Sequence, residues 1–242
     1  MDTSERNLDG LMLAFSASEV LGALAVTMVT VWVGHYRGGF AWSSDPGIEF
    51  NWHPVLMTTA MIFLYGNSIM VYRAFRNSRK RRLKLIHMAL HLVAFILTVV
   101  ALQAAFDSHN LKTPPTPNLY TLHSWLGLMA VIMYAAQWVS GFIAFLFPGI
   151  QTNLRASLLP IHTFFGLMGF VCAVAAALMG LTEKANFAVV NYQDLPAEGI
   201  FINCIGVVMV GFATLVMYIV TEQRFKRLPR PEDEILLTGG SE

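Results

Sequence analysis

Seven histidines are spread along the 242 residues, and four of them stand where a long apolar run begins. His53 opens the second such run, His87 the third, His123 the fourth and His162 the fifth. Imidazole is the common nitrogen ligand of transition metals, and one ring nitrogen can bind the metal while a hydrogen bond fixes the other. If successive runs cross a membrane in alternating directions, the second and fourth start at one face and the third and fifth at the other. His53 and His123 then share one depth, and His87 and His162 share the opposite depth. Two imidazoles at one depth on different helices can approach a metal from opposite sides, the arrangement a bis-histidine haem requires. The pattern predicts two non-covalent haems, one near each face. No CxxCH is present for covalent attachment.

A single histidine at a membrane end is an ordinary interfacial residue. The inference comes from four of them, each opening one of four successive spans and paired by depth. His91 lies four residues after His87, shares its helical face and competes with it as a ligand on spacing alone. His35 and His109 fall in loops. Gly127 and Gly166, four residues after His123 and His162, put small residues on the ligand faces where a macrocycle could approach the backbone. The same four histidines could serve a metal transporter. That function is more often built on broken helices with a site at the midplane. Here the histidines avoid the midplane and carboxylates are nearly absent from the spans, Glu19 in the first being the exception.

The composition explains what carries these residues. The chain is 55% hydrophobic and 13% charged, with a mean hydropathy of +0.55. Apolar runs at about 11–34, 54–73, 85–106, 120–147, 158–181 and 200–221 each approach the ~20 residues that cross the hydrocarbon core. The expected fold is therefore an all-α membrane protein of six transmembrane helices, with residues 1–10 and 222–242 as cytosolic ends and 11–221 as the membrane domain. With six spans both termini share a face. That face receives thirteen of the sixteen lysines and arginines, leaving Arg37, Lys112 and Lys184 for the other. The positive-inside rule puts the termini in the cytosol. Net charge is +1, and no basic stripe lies outside the helix-flanking loops, so no nucleic-acid partner is expected. Cys172 and Cys204 both sit in apolar runs and suggest no disulfide framework.

The segments HYRGGFAW (35–42), FNWHPVLM (50–57), VYR (71–73), NLYTLHSWLG (118–127), LRASLLPIH (154–162), LMGLTEK (178–184) and EGIFINCIG (198–206) resemble the animal cytochrome b561 family of ascorbate-dependent transmembrane oxidoreductases. The resemblance runs from about residue 20 to 230. It implies two b-type haems in a central bundle of helices 2–5, His53 with His123 on the luminal side and His87 with His162 on the cytosolic side. It also selects His87 over His91 and implies a homodimer. The texture of VYRAFRN (71–77) and FLFPG (145–149) is closer to the secretory-vesicle (chromaffin-granule) members than to the duodenal ferric reductases.

On that resemblance, cytosolic ascorbate is the electron donor. Ascorbate is an anion, and Arg73, Lys80, Lys84 and Arg155 match the family's cytosolic cluster. Lys80 and Lys84 share a helical face, and Lys84 precedes His87 by three residues. His109, Asn110, Asn118 and Tyr120 flank the luminal mouth near His123 as acceptor residues. The acceptor favoured is monodehydroascorbate, with a ferric chelate as the alternative. The tail Glu232-Asp233-Glu234-Ile235-Leu236-Leu237 fits an acidic dileucine signal, which favours a secretory-vesicle or endosomal/lysosomal membrane over the plasma membrane.

Overall fold

The computed structural model describes residues 3–148 and 150–228. The dileucine-like tail lies outside the described residues. The described residues form six long helices: α1 (Thr3–Tyr36), α2 (Pro46–Ala74), α3 (Lys80–Asn110), α4 (Leu122–Leu146), α5 (Thr152–Ala188) and α6 (Ala197–Thr221). Each contains a stretch long and apolar enough to cross a bilayer, making this a multi-pass membrane protein. Leu13, Ile132, Val139 and Val207 are exposed on the outer surface. Lipid solvates such side chains, so packing between helices has to come from close fit and internal polar contacts.

The helices run beyond the predicted spans. α5 has 37 residues, a length of about 55 Å against ~30 Å of hydrocarbon. The apolar run marks only the part of the helix in lipid, whereas the flanking polar residues continue it in water. α2 starts early for a local reason. The Asp45 side chain accepts from the Gly47 and Ile48 amides at 3.0 and 3.2 Å, and Pro46 occupies the first helical position. A capping box sets α4, with Thr121 and Ser124 exchanging side-chain and backbone bonds, and makes His123 its second residue.

α1 packs mainly on α6, α2 on α3, and α4 on α5. Tyr65, Phe170 and Phe212 are fully buried in the core that α2, α5 and α6 share. Residues Thr58–Leu64 of α2 and Phe142–Leu146 of α4 are wound as π-helix. Such insertions rotate the next turns of the helix relative to the preceding ones and are frequent at functional sites. Glu19 of α1 meets the Asn67 side chain of α2 rather than standing alone in the apolar run.

At the face opposite the termini, here the far face, α1, α5 and α6 are tied together. Arg37 ion-pairs with Glu198 and donates to the Ala188 carbonyl at 3.2 Å, while Trp32 Nε1 donates to Glu198 at 2.8 Å. Replacing Glu198 with alanine leaves a half-buried guanidinium without its counter-charge and an indole N–H without its acceptor. We expect a loss of about 3 kcal/mol, measured as a lower midpoint of unfolding of the detergent-solubilised protein.

Candidate functional site

The four span-opening histidines meet in two pairs. His53 of α2 and His123 of α4 have ring centres 6.4 Å apart with planes at 89°. His87 of α3 and His162 of α5 have ring centres 6.3 Å apart with planes at 71°. The first pair lies towards the far face and the second towards the termini face. Both pairings run diagonally across α2–α5.

Three of the rings have Nδ1 within hydrogen-bond reach of a backbone carbonyl. His53 Nδ1 is 3.1 Å from the Ala101 oxygen, His123 Nδ1 is 2.7 Å from that of Ala176, and His87 Nδ1 is 2.9 Å from that of Ser68. A carbonyl can only accept, so Nδ1 carries the proton and Nε2 keeps its lone pair for a metal. The Ser68 hydroxyl also donates to the His87 carbonyl at 2.9 Å. Among the described residues, His162 Nδ1 is buried without a partner. Glycines hold two rings by steric contact. A Cβ on Gly180 would stand 2.7 Å from His123 Cε1, and one on Gly141 would stand 2.9 Å from His162 Cε1.

The remaining sequence candidates fall into clear groups. His91 turns to the bundle centre, where Nδ1 donates to the Tyr134 hydroxyl at 2.9 Å and the ring lies 5.2 Å from Tyr65. Spacing alone could not separate it from His87. His109, Asn118 and Tyr120 line one cavity of about 410 Å³ together with His53, His123, Gly127 and Gly180. Asn118 bridges His109 and Asn110, at 3.0 and 2.8 Å. The Phe50 ring connects this mouth to the histidine pair, 6.2 Å from His109 and 5.6 Å from His53.

On the termini face, Lys84 Nζ donates to the Phe145 carbonyl at 3.2 Å and Arg155 to that of Phe147 at 3.4 Å. Lys80 and Arg155 are the charged neighbours of Lys84, so three cations gather at the end of α4. The Phe145 ring is 5.2 Å from His162. Arg73 is engaged elsewhere: its guanidinium donates to the Val220 and Glu222 carbonyls at 2.7 and 3.2 Å and caps the end of α6.

The sequence model of the eukaryotic cytochrome b561 family matches residues 52–188. This chain belongs to the cytochrome b561 family. Relatives include the plasma membrane ascorbate-dependent reductase CYBRD1 of Xenopus tropicalis, 45% identical over 90% of this chain and 77% of its own length. The transmembrane ascorbate-dependent reductases CYB561 of Ovis aries and Homo sapiens are each 41% identical over 90% of this chain and 86% of theirs.

Membership in the b561 family implies haem b, and the residues present fit it. A metal–imidazole nitrogen bond of about 2 Å and roughly 1.1 Å from that nitrogen to the ring centre put two axial imidazole centres about 6 Å apart. Both histidine pairs of this cytochrome have that separation. Sequence reasoning missed Gly141, Gly180, Ser68 and Phe50. For the glycines a signal existed, since each lies on the antiparallel neighbour at the depth of the histidine it contacts.

Proposed function

We propose that this protein carries electrons from cytosolic ascorbate across the membrane to an acceptor on the luminal or extracellular side, using two b-type haems per chain. The observation that carries the proposal is the equal spacing of the two histidine pairs at opposite depths. His87 with His162 would hold one haem and His53 with His123 the other. When bound, haem b supplies reversible one-electron chemistry between ferric and ferrous iron. The chain's own residues orient the rings through the carbonyls of Ser68, Ala101 and Ala176.

The charge distribution supports the termini face as cytosolic. There Lys80, Lys84 and Arg155 would bind ascorbate as an anion, next to Phe145 and His162. Ascorbate gives up one electron and one proton and leaves as monodehydroascorbate. Arg73, which caps α6 on the same face, would add its positive charge to the field that draws the anion in. On the far face monodehydroascorbate would take one electron and one proton and become ascorbate, held near His109, Asn110, Asn118 and Tyr120. A ferric chelate, which takes the electron alone, is the second reading, favoured by the 45% identity to the plasma membrane reductase. We place the protein in a vesicle or endosomal/lysosomal membrane on the first reading and at the cell surface on the second, as a homodimer in either.

Purified protein is expected to bind about two haems per chain with bis-histidine spectra and to be reduced by ascorbate. A preparation without a haem absorption band, or with haem that ascorbate leaves oxidised, rejects the proposal. Lys84→Ala and Arg155→Ala are each expected to raise the ascorbate concentration for half-maximal reduction about tenfold, the loss of one charge-assisted contact. Haem content in both should be unchanged. Identical reduction curves in wild type and both variants would remove these residues from the donor site.

A further inference from the structure

A lysine near the end of a transmembrane helix ordinarily extends its ammonium to headgroups or water. Lys184, in the last turns of α5, does otherwise. Its Nζ lies 4.5 Å from the centre of the Phe50 ring, in the lining of the cavity that His53 and His123 also line. Among the described residues the ion pairs are Arg37–Glu198 and Arg224–Glu222, so no carboxylate is paired with Lys184. The adjoining Glu183 instead accepts a hydrogen bond from the Thr121 hydroxyl at 3.2 Å. Lys112, from the loop after α3, adds a second ammonium to the same lining.

The cavity mouth thus holds two lysines against one carboxylate. Positive charge in a cleft with apolar walls concentrates field and draws small anions in. We propose that Lys184 is the far-face cation that binds the electron acceptor, selecting a small oxyanion, enolate or carboxylate, and holding it beside Phe50. The same ring packs 5.6 Å from His53, so an anion on Lys184 sits one aromatic side chain from the histidine pair. The inference rests on the reading of the far face as the exit side. It adds what the acceptor must be: negatively charged, as both monodehydroascorbate and ferric citrate are. Lys184 is the specificity-determining residue of that site.

The test uses the full-length, haem-loaded protein in liposomes, with its far face accessible and ascorbate on the other side. Three acceptors are compared at low salt: monodehydroascorbate, ferric citrate and cationic hexaammineruthenium(III). Lys184→Gln is expected to slow the two anions about tenfold and to speed the cation, since removing one positive charge acts with opposite sign on the two classes. Raising the salt should shrink both differences, and Lys184→Arg should stay within about twofold of wild type for all three. Relative rates of the two anions tell which source the site prefers. A second readout needs no electron transfer: citrate alone should protect Lys184 of the wild type against a lysine-acylating reagent, scored by peptide mass spectrometry. Equal slowing of anions and cation, or no protection with transfer intact, overturns the role of Lys184 alone. A wild type that reduces none of the three acceptors overturns the exit-face reading and this proposal with it.

Discussion

Replacing His123 with alanine is expected to lower haem content from about two per chain to about one. The remaining haem should keep a bis-histidine spectrum, because His87 and His162 belong to other helices at the other depth. Replacing His162 should give the same stoichiometry with the opposite haem retained. The two half-loaded proteins should differ in a way that assigns each spectrum. Ascorbate should still reduce the haem left in the His123 variant, which adjoins Lys80, Lys84 and Arg155. Reduction should fall steeply in the His162 variant, where the cation cluster no longer faces a haem. His91→Ala should keep both haems, since Nδ1 of His91 is bonded to Tyr134 and the His87 ring packed on it, 4.5 Å away on the same helix, is closer than the separation of either pair. Its stability should fall modestly, by about 1 kcal/mol for the lost buried hydrogen bond. Quantifying haem against protein in the three purified variants decides the matter. Full haem content in His123→Ala, or loss of one haem in His91→Ala, would reject the ligand assignment.

The histidine pairing could be reached from sequence because it depends only on span order and depth. Alternation of six apolar runs fixes which spans begin together, and the side-chain type does the rest. The choice between His87 and His91 could not be made that way. Residues four apart share a face, and what separates these two is the neighbour each meets, Ser68 of α2 for one and Tyr134 of α4 for the other. Arg73 illustrates a different limit. Its charge and its place at the end of a span suit an anion site, and nothing in the sequence signals that it also holds α6 carbonyls, which are distant along the chain. The helices outrun their apolar runs because hydropathy reports where lipid is, not where backbone hydrogen bonding stops. The π-helical turns in α2 and α4 leave no mark in a run of Thr, Ala, Ile, Phe and Leu, since these residues suit α and π winding equally.

The glycines four residues after His123 and His162 are visible in the sequence as small positions, but the contacts that fix the rings come from across the bundle. Among the described residues, a Cβ at Gly127 meets the Ala176 Cβ alone, at 3.8 Å, and one at Gly166 meets nothing within 4 Å. Gly180 is different, because a Cβ there would lie 2.7 Å from Cε1 and 3.0 Å from Nδ1 of His123. That ring has little freedom to retreat. Its Nδ1 is 2.7 Å from the Ala176 carbonyl, one turn before Gly180 on the same helix, so the bond and the clash both act from α5. Gly180→Ala must therefore break the hydrogen bond or move the helix. Overpacking of this kind costs about 1–3 kcal/mol, or roughly five- to 150-fold in haem retention on the far face.

Gly141→Ala makes a contact almost as short with His162, at 2.9 Å to Cε1, but Nδ1 of that ring has no partner among the described residues. His162 can rotate away at lower cost, so the termini-face haem should stay bound with a shifted midpoint potential. Gly34→Ala, where a Cβ meets nothing within 4 Å, serves as the helix-propensity control and should match wild type in both readouts. Haem-to-protein ratios and redox titrations of the three purified variants provide the measurement. If Gly180→Ala keeps both haems at unshifted potentials, the glycine cradle does not position His123, and the ring must be held by the Ala176 carbonyl alone.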